Sequence, residues 1–474
     1  MTSLRLHRDF TMADRISNVV LGTALCAALA IASCPLAART ENRTPDSNEM
    51  SPSQWRTAQL IAADKSDQIM REARKQPGLL GQYMHMQLNY DLNHERAFQV
   101  IFGQYLSWYQ TYIADYNGAR NSFSIAQPPQ GDDGGSPLAG NYRMQAAADV
   151  ILAMSKDRKA VFFNEAHSAP ITRTLTIQLL AKLRAQGFNY FAAETLYDTD
   201  HDLQSRGYPT DKSGFYVNEP LYGEMVRTAL KLGFNVVAYD VENAGVGDAR
   251  ERAGAQKLYS QVFKKDPNAR LIVNAGFAHV QKTGKYLGGS SMGEFFHKIA
   301  GIDPLTIEQT MMIEHAKADQ DHPYYLAVMQ AHPPTEPSVF VGADGKPWTL
   351  KPGQYDMSVI FPQQSSSAAR PTWLDLNGMR VPYTVASDLC NQKFPCLVEA
   401  HYAGESEDAV AADRVVLNVI DPNAPVASRF LSGHGEAQSR LFLRPGKYRL
   451  TASDQHDHTL TARDITIAAA SARQ

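Results

Sequence analysis

Cysteine is scarce in this sequence, with four in 474 residues. None of the four has a zinc-type spacing, and no GxxxxGK[ST] run is present to cradle a phosphate. Neither sign of charge dominates: Lys and Arg number 46, Asp and Glu 49, and the formal net charge is −3. That balance offers no basic field to a nucleic acid, so DNA, RNA and nucleotide triphosphates are weak partners. Long apolar runs are missing as well. The most apolar stretch, residues 19–32, is too short for a helix that must cross ~30 Å of hydrocarbon.

That stretch fits the apolar centre of a secretory signal. Arg5, Arg8 and Arg15 precede it, and Met12 would serve as a start with a short basic lead. The run ends in Ile31-Ala32-Ser33-Cys34, which resembles a lipobox. Cleavage before Cys34 would put lipid on Cys34. Ordinary cleavage near Ala37 or Ala38 would discard it. Both readings make residues 1–38 a signal peptide and export the chain. The expected place is the periplasm, with outer-membrane anchoring only through lipid on Cys34. In an oxidising compartment Cys390 and Cys396, which bracket CNQKFPC, are expected to pair as a loop staple rather than a redox site.

The length predicts two or three domains. Residues 39–51, RTENRTPDSNEMS, read as a disordered linker. Residues 52–125 read as a helical segment, its pattern running from Gln54 to about Tyr116. Phe98, Phe102, Tyr105, Tyr109, Tyr112 and Tyr116 recur three and four apart, one stripe that would pack on the next domain or present tyrosines to a ligand. Residues 126–141, AQPPQGDDGGSPLAGN, form a loop long enough to be a mobile flap.

Residues 142–365 alternate strand and helix. Helices are predicted over 142–156, 171–186, 220–232 and 248–264, and strands over 160–163, 190–193, 236–239 and 270–274. Pro220 opens one helix, and Gly187 and Gly233 close two others. This rhythm predicts an α/β fold, a mainly parallel sheet flanked by helices. GFNYFAAE and GFNVVAYD repeat a helix-ending GFN and a carboxylate seven residues after the glycine, so Glu194 and Asp240 should stand at matching strand ends. Residues 366–474 carry short alternating runs with Pro and Gly turns, read as a small antiparallel β-sandwich-like domain. Within it RPGKYRL, 444–450, reads as a turn plus edge strand. His456 and His458 have metal-like spacing but read as a solvated hairpin turn.

Ligands of open α/β sheets bind beyond the carboxyl ends of the strands. There the first strand delivers Glu165 and His167, the second Glu194, the third Asp240 and Glu242, and the fourth Gly276 and His279. A strand-end carboxylate often only caps the next helix. Four such ends, two with histidine, point to a site. A histidine can take a proton from water while a carboxylate orients it. The same Glu165, His167, Glu194 and His279 could instead hold a divalent metal with an open water position. Spacing leaves both chemistries open.

NEAH (164–167), AAETL (192–196) and GFAH (276–279) resemble the GExH, strand-end Glu and GxxH elements of a superfamily. It joins erythromycin-esterase-like hydrolases, ChaN-like haem-binding lipoproteins and TraB/TIKI-type proteins. ARERAGAQKLYSQVF (249–263) is similar to its Arg-bearing helix, with Arg250 the better match and Arg252 the second. MGEFFHKIAGIDPLTIEQT (292–310) resembles the segment that follows. The likeness covers residues 150–310, about a third of the chain. For esterase-like members it implies His167 as general base, Glu165 and Glu194 as its support, and Arg250 and His279 as ligands of the substrate or developing charge. For ChaN-like members it implies a haem or iron ligand set, and for TIKI-like members a metal-dependent hydrolase. Asn164 stands where the family has glycine; asparagine tolerates a left-handed backbone better than most residues. Three expectations follow: an exported hydrolase acting on a small-molecule ester or amide, a lipoprotein binding haem or metal, and an exported scaffold whose site has decayed.

Overall fold

The computed structural model describes residues 51–123, 134–241, 244–367, 370–418 and 438–469. The signal peptide with Met12 and Cys34, the linker before Ser51, residues 126–133 of the predicted flap and Glu242 lie outside the described residues.

The described residues open with four helices: α1 (Pro52–Ala73), α2 (Gly78–Leu92), α3 (Arg96–Tyr112) and α4 (Tyr116–Ser122). Ser51 and Gln54 form a capping box that starts α1. The central unit follows as β1 (Tyr142–Ala146), α5 (Ala147–Ser155), β2 (Ala160–Glu165), α6 (Ile171–Ala185), β3 (Tyr190–Ala193), α7 (Pro220–Lys231), β4 (Asn235–Ala238), α8 (Asp248–Leu258), β5 (Leu271–Gly276), α9 (Met292–Ala300), β6 (Leu305–Glu308), α10 (Pro323–Ala331), β7 (Ser338–Gly342) and β8 (Met357–Ser358). The C-terminal unit contributes β9 (Val381–Ala386), β10 (Cys396–Tyr402), β11 (Asp413–Leu417), β12 (Gln438–Leu443), β13 (Gly446–Ser453) and β14 (Thr459–Ile467).

Six strands form a parallel sheet in the order β4-β3-β5-β2-β6-β8. Both faces are covered. Val161 and Phe163 pack with Leu175, Leu179 and Met225 of α6 and α7 on one side. Phe162, Val273 and Ala275 pack with Leu258 and Phe296 of α8 and α9 on the other. The chain passes from β2 to β3 and β4, then returns to lay β5 between β3 and β2. The carboxyl ends of β3, β5 and β2 thus stand side by side where the winding reverses, the usual place for an α/β site.

Among its described residues the C-terminal unit has two larger antiparallel sheets, β9-β12 and β11-β10-β13-β14, beside a short pair of 366–367 with 370–371. Val385 and Leu441 of one share a core with Val398, Val415 and Leu450 of the other. Cys390 and Cys396 are joined, Cα to Cα 5.8 Å, stapling the loop that enters β10. The His456–His458 turn is exposed, and Asp454 accepts both backbone N–H groups.

Three element expectations need correction. Residues 142–146 are a strand, not the start of a helix, because β7 pairs with them antiparallel across almost two hundred residues. The predicted helix 248–264 ends as α-helix at Leu258 and continues as a π-type turn over Tyr259–Phe263. The strand after Pro445 is not an edge: β13 is paired on both sides, by β10 and β14.

The tyrosine stripe packs inward. Trp108 meets Phe215 edge-on at 5.2 Å, and the Tyr112 hydroxyl donates to the Phe215 carbonyl at 3.0 Å. Residues 134 and 135 of the predicted flap are held by Trp348, whose indole N–H donates to both carbonyls.

Candidate active site

Glu165 ends β2 and is fully buried. Its Oε1 faces His167 Nδ1 at 2.9 Å and accepts from Arg173 Nη2 at 2.9 Å, while Arg173 Nε bonds its other oxygen. Arg173 comes from the first turn of α6 and also donates Nη1 to Glu219 at 2.6 Å. Glu219 caps α7 through the N–H groups of Leu221 and Tyr222, at 3.0 and 2.8 Å, and accepts the Tyr116 hydroxyl at 3.1 Å. A buried guanidinium shared by two carboxylates ties the end of β2 to the start of α7. Burial works to raise the Glu165 pKa, but Arg173 and the bond to His167 outweigh it and bring it down to about 2.

His167 is held on three sides. Its ring stacks on Tyr216 with centroids 4.2 Å apart and meets the edge of Phe277 at 5.1 Å. The third side is Gly276, where a Cβ would stand 2.4 Å from both Cε1 and Nε2 of the ring. Only glycine allows that approach. With Nδ1 on Glu165, Nε2 is left facing Glu194 Oε2 at 3.8 Å.

Glu194, just past β3, is the centre of the site. Oε2 accepts the Gly276 N–H at 2.6 Å, and Oε1 accepts from Arg250 Nη2 at 2.9 Å and lies 3.4 Å from His279 Nε2. Burial favours its protonated form, yet His279, His167, Arg250 and the Gly276 N–H together hold the carboxyl below the usual range. The next residue, Thr195, has φ +60°, a costly conformation for a β-branched side chain. It is held there by Asp240, which accepts its N–H at 2.5 Å, and by Phe215 and Tyr216, whose N–H groups reach its carbonyl and hydroxyl at 3.1 and 3.2 Å.

Asp240 therefore faces Thr195 rather than Glu194. The strand register pairs Ala193 with Ala238, so the GFN repeat is one residue out of step between β3 and β4. What the two copies share is the end of the helix: Gly187 and Gly233 have φ +97° and +77° and bury Phe188 and Phe234 behind them. Burial and neighbouring Glu194 push the Asp240 carboxyl up against the pull of Arg250.

Arg250, in the first turn of α8, ties the two halves together. Nη2 also reaches Asp240 at 3.4 Å, and Nη1 lies 3.0 Å from His279 Nε2. Arg252 instead stacks over Phe295, away from the site. His279 Nδ1 contacts Glu251 Oε2 at 2.7 Å, and the Tyr286 hydroxyl stands 3.2 Å from Nε2. Burial lowers the proton affinity of His279, but Glu251 and Glu194 raise it further than burial and Arg250 depress it. Nδ1 faces the Glu251 carboxylate, and Nε2 faces the Arg250 guanidinium and Glu194 Oε1 together.

The five residues assigned from sequence, Glu165, His167, Glu194, Arg250 and His279, are thus in one site. Sequence reasoning missed Arg173, Glu219, Glu251, Tyr216 and Tyr286. Arg173 and Glu251 carried a signal, since each lies within the first turn of a helix that follows a site strand. The others have none. Asn164 departs from expectation too. It lies within β2, pairs with Ala275 and has no left-handed backbone. Its side chain clips β2 to β6, accepting the Gln309 N–H at 2.6 Å and donating to Glu308 at 3.4 Å.

A metal does not fit these donors. The Arg250 guanidinium already occupies the space between Glu194, Asp240 and His279, and Arg173 takes both oxygens of Glu165. Among the described residues no three His, Cys, Asp or Glu are placed to hold a metal ion. Three hydroxyls of the tyrosine stripe are not free to ligate haem. The hydroxyls of Tyr105, Tyr112 and Tyr116 are already bonded to Asp67, Phe215 and Glu219.

Fold and site together define an α/β protein with a buried His-carboxylate site at a sheet switch point. No family model and no curated protein matches the chain. Two solved structures described as bacterial protein toxins overlay weakly. One has 11% identity over 57% of this chain and 69% of its own, with a TM-score of 0.26. The other has 13% identity over 57% and 68%, with a TM-score of 0.28. Overlays this slight carry no argument about fold or activity.

Proposed function

We propose that the protein is an exported hydrolase that activates water with His167 and cleaves an ester or amide of a small molecule. The observation that supports it is the Glu165–His167 pair. Nδ1–H donates to a carboxylate that Arg173 keeps ionised, which leaves Nε2 as the basic nitrogen. Water gives its proton to His167 Nε2 as its oxygen attacks the carbonyl carbon. Glu165 stabilises the imidazolium formed. Arg250 and His279 hold the oxygen on which negative charge develops. The proton then passes from His167 to the leaving oxygen or nitrogen as its bond to carbon breaks. No step requires a metal.

The test compares wild type with His167→Ala and Glu165→Gln on a panel of esters and amides. Wild type should turn over at least one, and His167→Ala should lose most of that rate, ~10²-fold or more for a general base. Equal turnover by both removes the role of His167. Export is checked by fractionation, and the mass of the mature N-terminal peptide separates lipid on Cys34 from cleavage near Ala38.

A further inference from the structure

The reacting atoms of this site are covered: His167 and His279 are only 6% and 5% exposed. A substrate can meet them only if something moves. The cover over His279 is a loop of residues 282–290. Its neck is closed by the Ser291 hydroxyl, which donates to the Gln281 carbonyl at 2.6 Å, and its base by Lys282, whose ammonium lies 2.8 Å from both Asp303 and Asp356. At its tip, Tyr286 and Gly289 exchange backbone hydrogen bonds of 2.8 and 2.9 Å around Leu287 and Gly288, whose φ values are +51° and +87°. Two positive φ values in sequence make a tight hairpin turn.

The Tyr286 ring meets His279 edge-on at 4.8 Å, its hydroxyl stands 3.2 Å from Nε2, and the Ser290 N–H donates to Asp248 at 2.7 Å. Gly284, with φ +90°, supplies a pivot between the anchored base and the tip. The neck is anchored while the tip turns on Gly284, the arrangement of a segment that opens locally.

His279 Nε2 is also where polar groups converge, with Arg250 Nη1 at 3.0 Å and Glu194 Oε1 at 3.4 Å. We infer that residues 282–290 are a lid latched by Tyr286, and that its hydroxyl holds the place a substrate oxygen takes when the lid lifts. That oxygen would meet Arg250 and His279 where the phenol now sits. Bound substrate would therefore displace the latch. This inference rests on the hydrolytic reading for the identity of the oxygen, while the latch itself can be tested without turnover.

The experiment uses the whole exported protein, wild type, Tyr286→Phe and Tyr286→Ala. Each is treated with diethyl pyrocarbonate, and modification of His279 is followed by peptide mass spectrometry. Tyr286→Ala should be modified several-fold faster than wild type, and Tyr286→Phe, which keeps the ring but loses the bond, at an intermediate rate. Inorganic phosphate then serves as an oxyanion probe by titration calorimetry. It should bind Tyr286→Ala roughly tenfold more tightly than wild type, because no latch has to be displaced. Equal modification of His279 in all three proteins overturns the lid. Phosphate that binds all three equally, or none, overturns the assignment of the oxygen position. If no ester is hydrolysed but both measurements behave as expected, the lid stands and the hydrolytic reading falls.

Discussion

At the scale of single residues, the site depends on what surrounds the histidine as much as on the histidine. Gly276→Ala would put a methyl 2.4 Å from the His167 ring. The ring must turn out of its stack on Tyr216, so kcat/KM should fall by ~10²-fold, as for a misplaced catalytic group, with ~1–3 kcal/mol of overpacking cost in thermal melts. A wild-type rate in that variant would show that His167 does not act from this position. Arg173→Met would strand Glu165 and Glu219 in the interior, and breaking a buried pair typically costs ~3–5 kcal/mol. Glu165 also sets a pH response. Its folded pKa is about 2, below the ordinary carboxylate value, so its stabilising effect is complete above about pH 5 and lost as pH falls toward 2. Urea unfolding at pH 7 and pH 3 should show a marked loss for wild type and a smaller one for Glu165→Gln, which starts lower.

At the scale of elements, each site side chain is delivered by a strand end or the first turn of the following helix. Hydrophobic runs and helix punctuation made those positions legible: β3 was placed to the residue and α7 nearly so. Register was not. Glu194 and Asp240 looked equivalent in sequence, but the ladder between β3 and β4 shifts them by one, which turns one toward the histidines and the other toward Thr195. Asn164 belongs here too. Asn164→Gly would remove its bonds to Gln309 and Glu308, which link β2 to β6, at a cost of ~2–3 kcal/mol by denaturant unfolding. Because neither partner touches His167, kcat should stay unchanged. A variant that gained activity would revive the reading of a site decayed through Asn164.

At the scale of the whole molecule, the three units are bound by buried charge. Glu224 on α7 bonds Arg444 and lies 3.5 Å from Arg227, which in turn pairs with Glu405 at 2.7 Å. Arg414 donates to the carbonyls of Tyr112 and Asn218 at 2.8 and 2.9 Å, joining the C-terminal sheets to both the helical unit and the segment before α7. The same α7 begins at Glu219, the partner of Arg173. Removing residues 366–474 would take Arg444 from Glu224, Glu405 from Arg227 and Arg414 from the two carbonyls, so the truncated chain should fail to fold or melt far below the full chain. Calorimetry of the intact protein should show one transition. Separate transitions would mean that the units hold together less tightly than these contacts require. Incubation with EDTA should leave ester turnover unchanged, since the guanidinium of Arg250 stands where a cation would bind.

Local periodicity and residue chemistry, both written along the chain, determined by themselves the α/β class, the strand ends that carry Glu165, His167, Glu194 and His279, and the Cys390–Cys396 staple, whereas Arg250 entered only through the family resemblance. Only the tertiary structure decided who pairs with whom. Arg173 meets Glu219 across 46 positions and Tyr216 stacks on His167 across 49. β1 finds β7, and β13 takes a place between two neighbours. Such pairings depend on register and winding order, which a run of apolar and polar residues does not encode on its own.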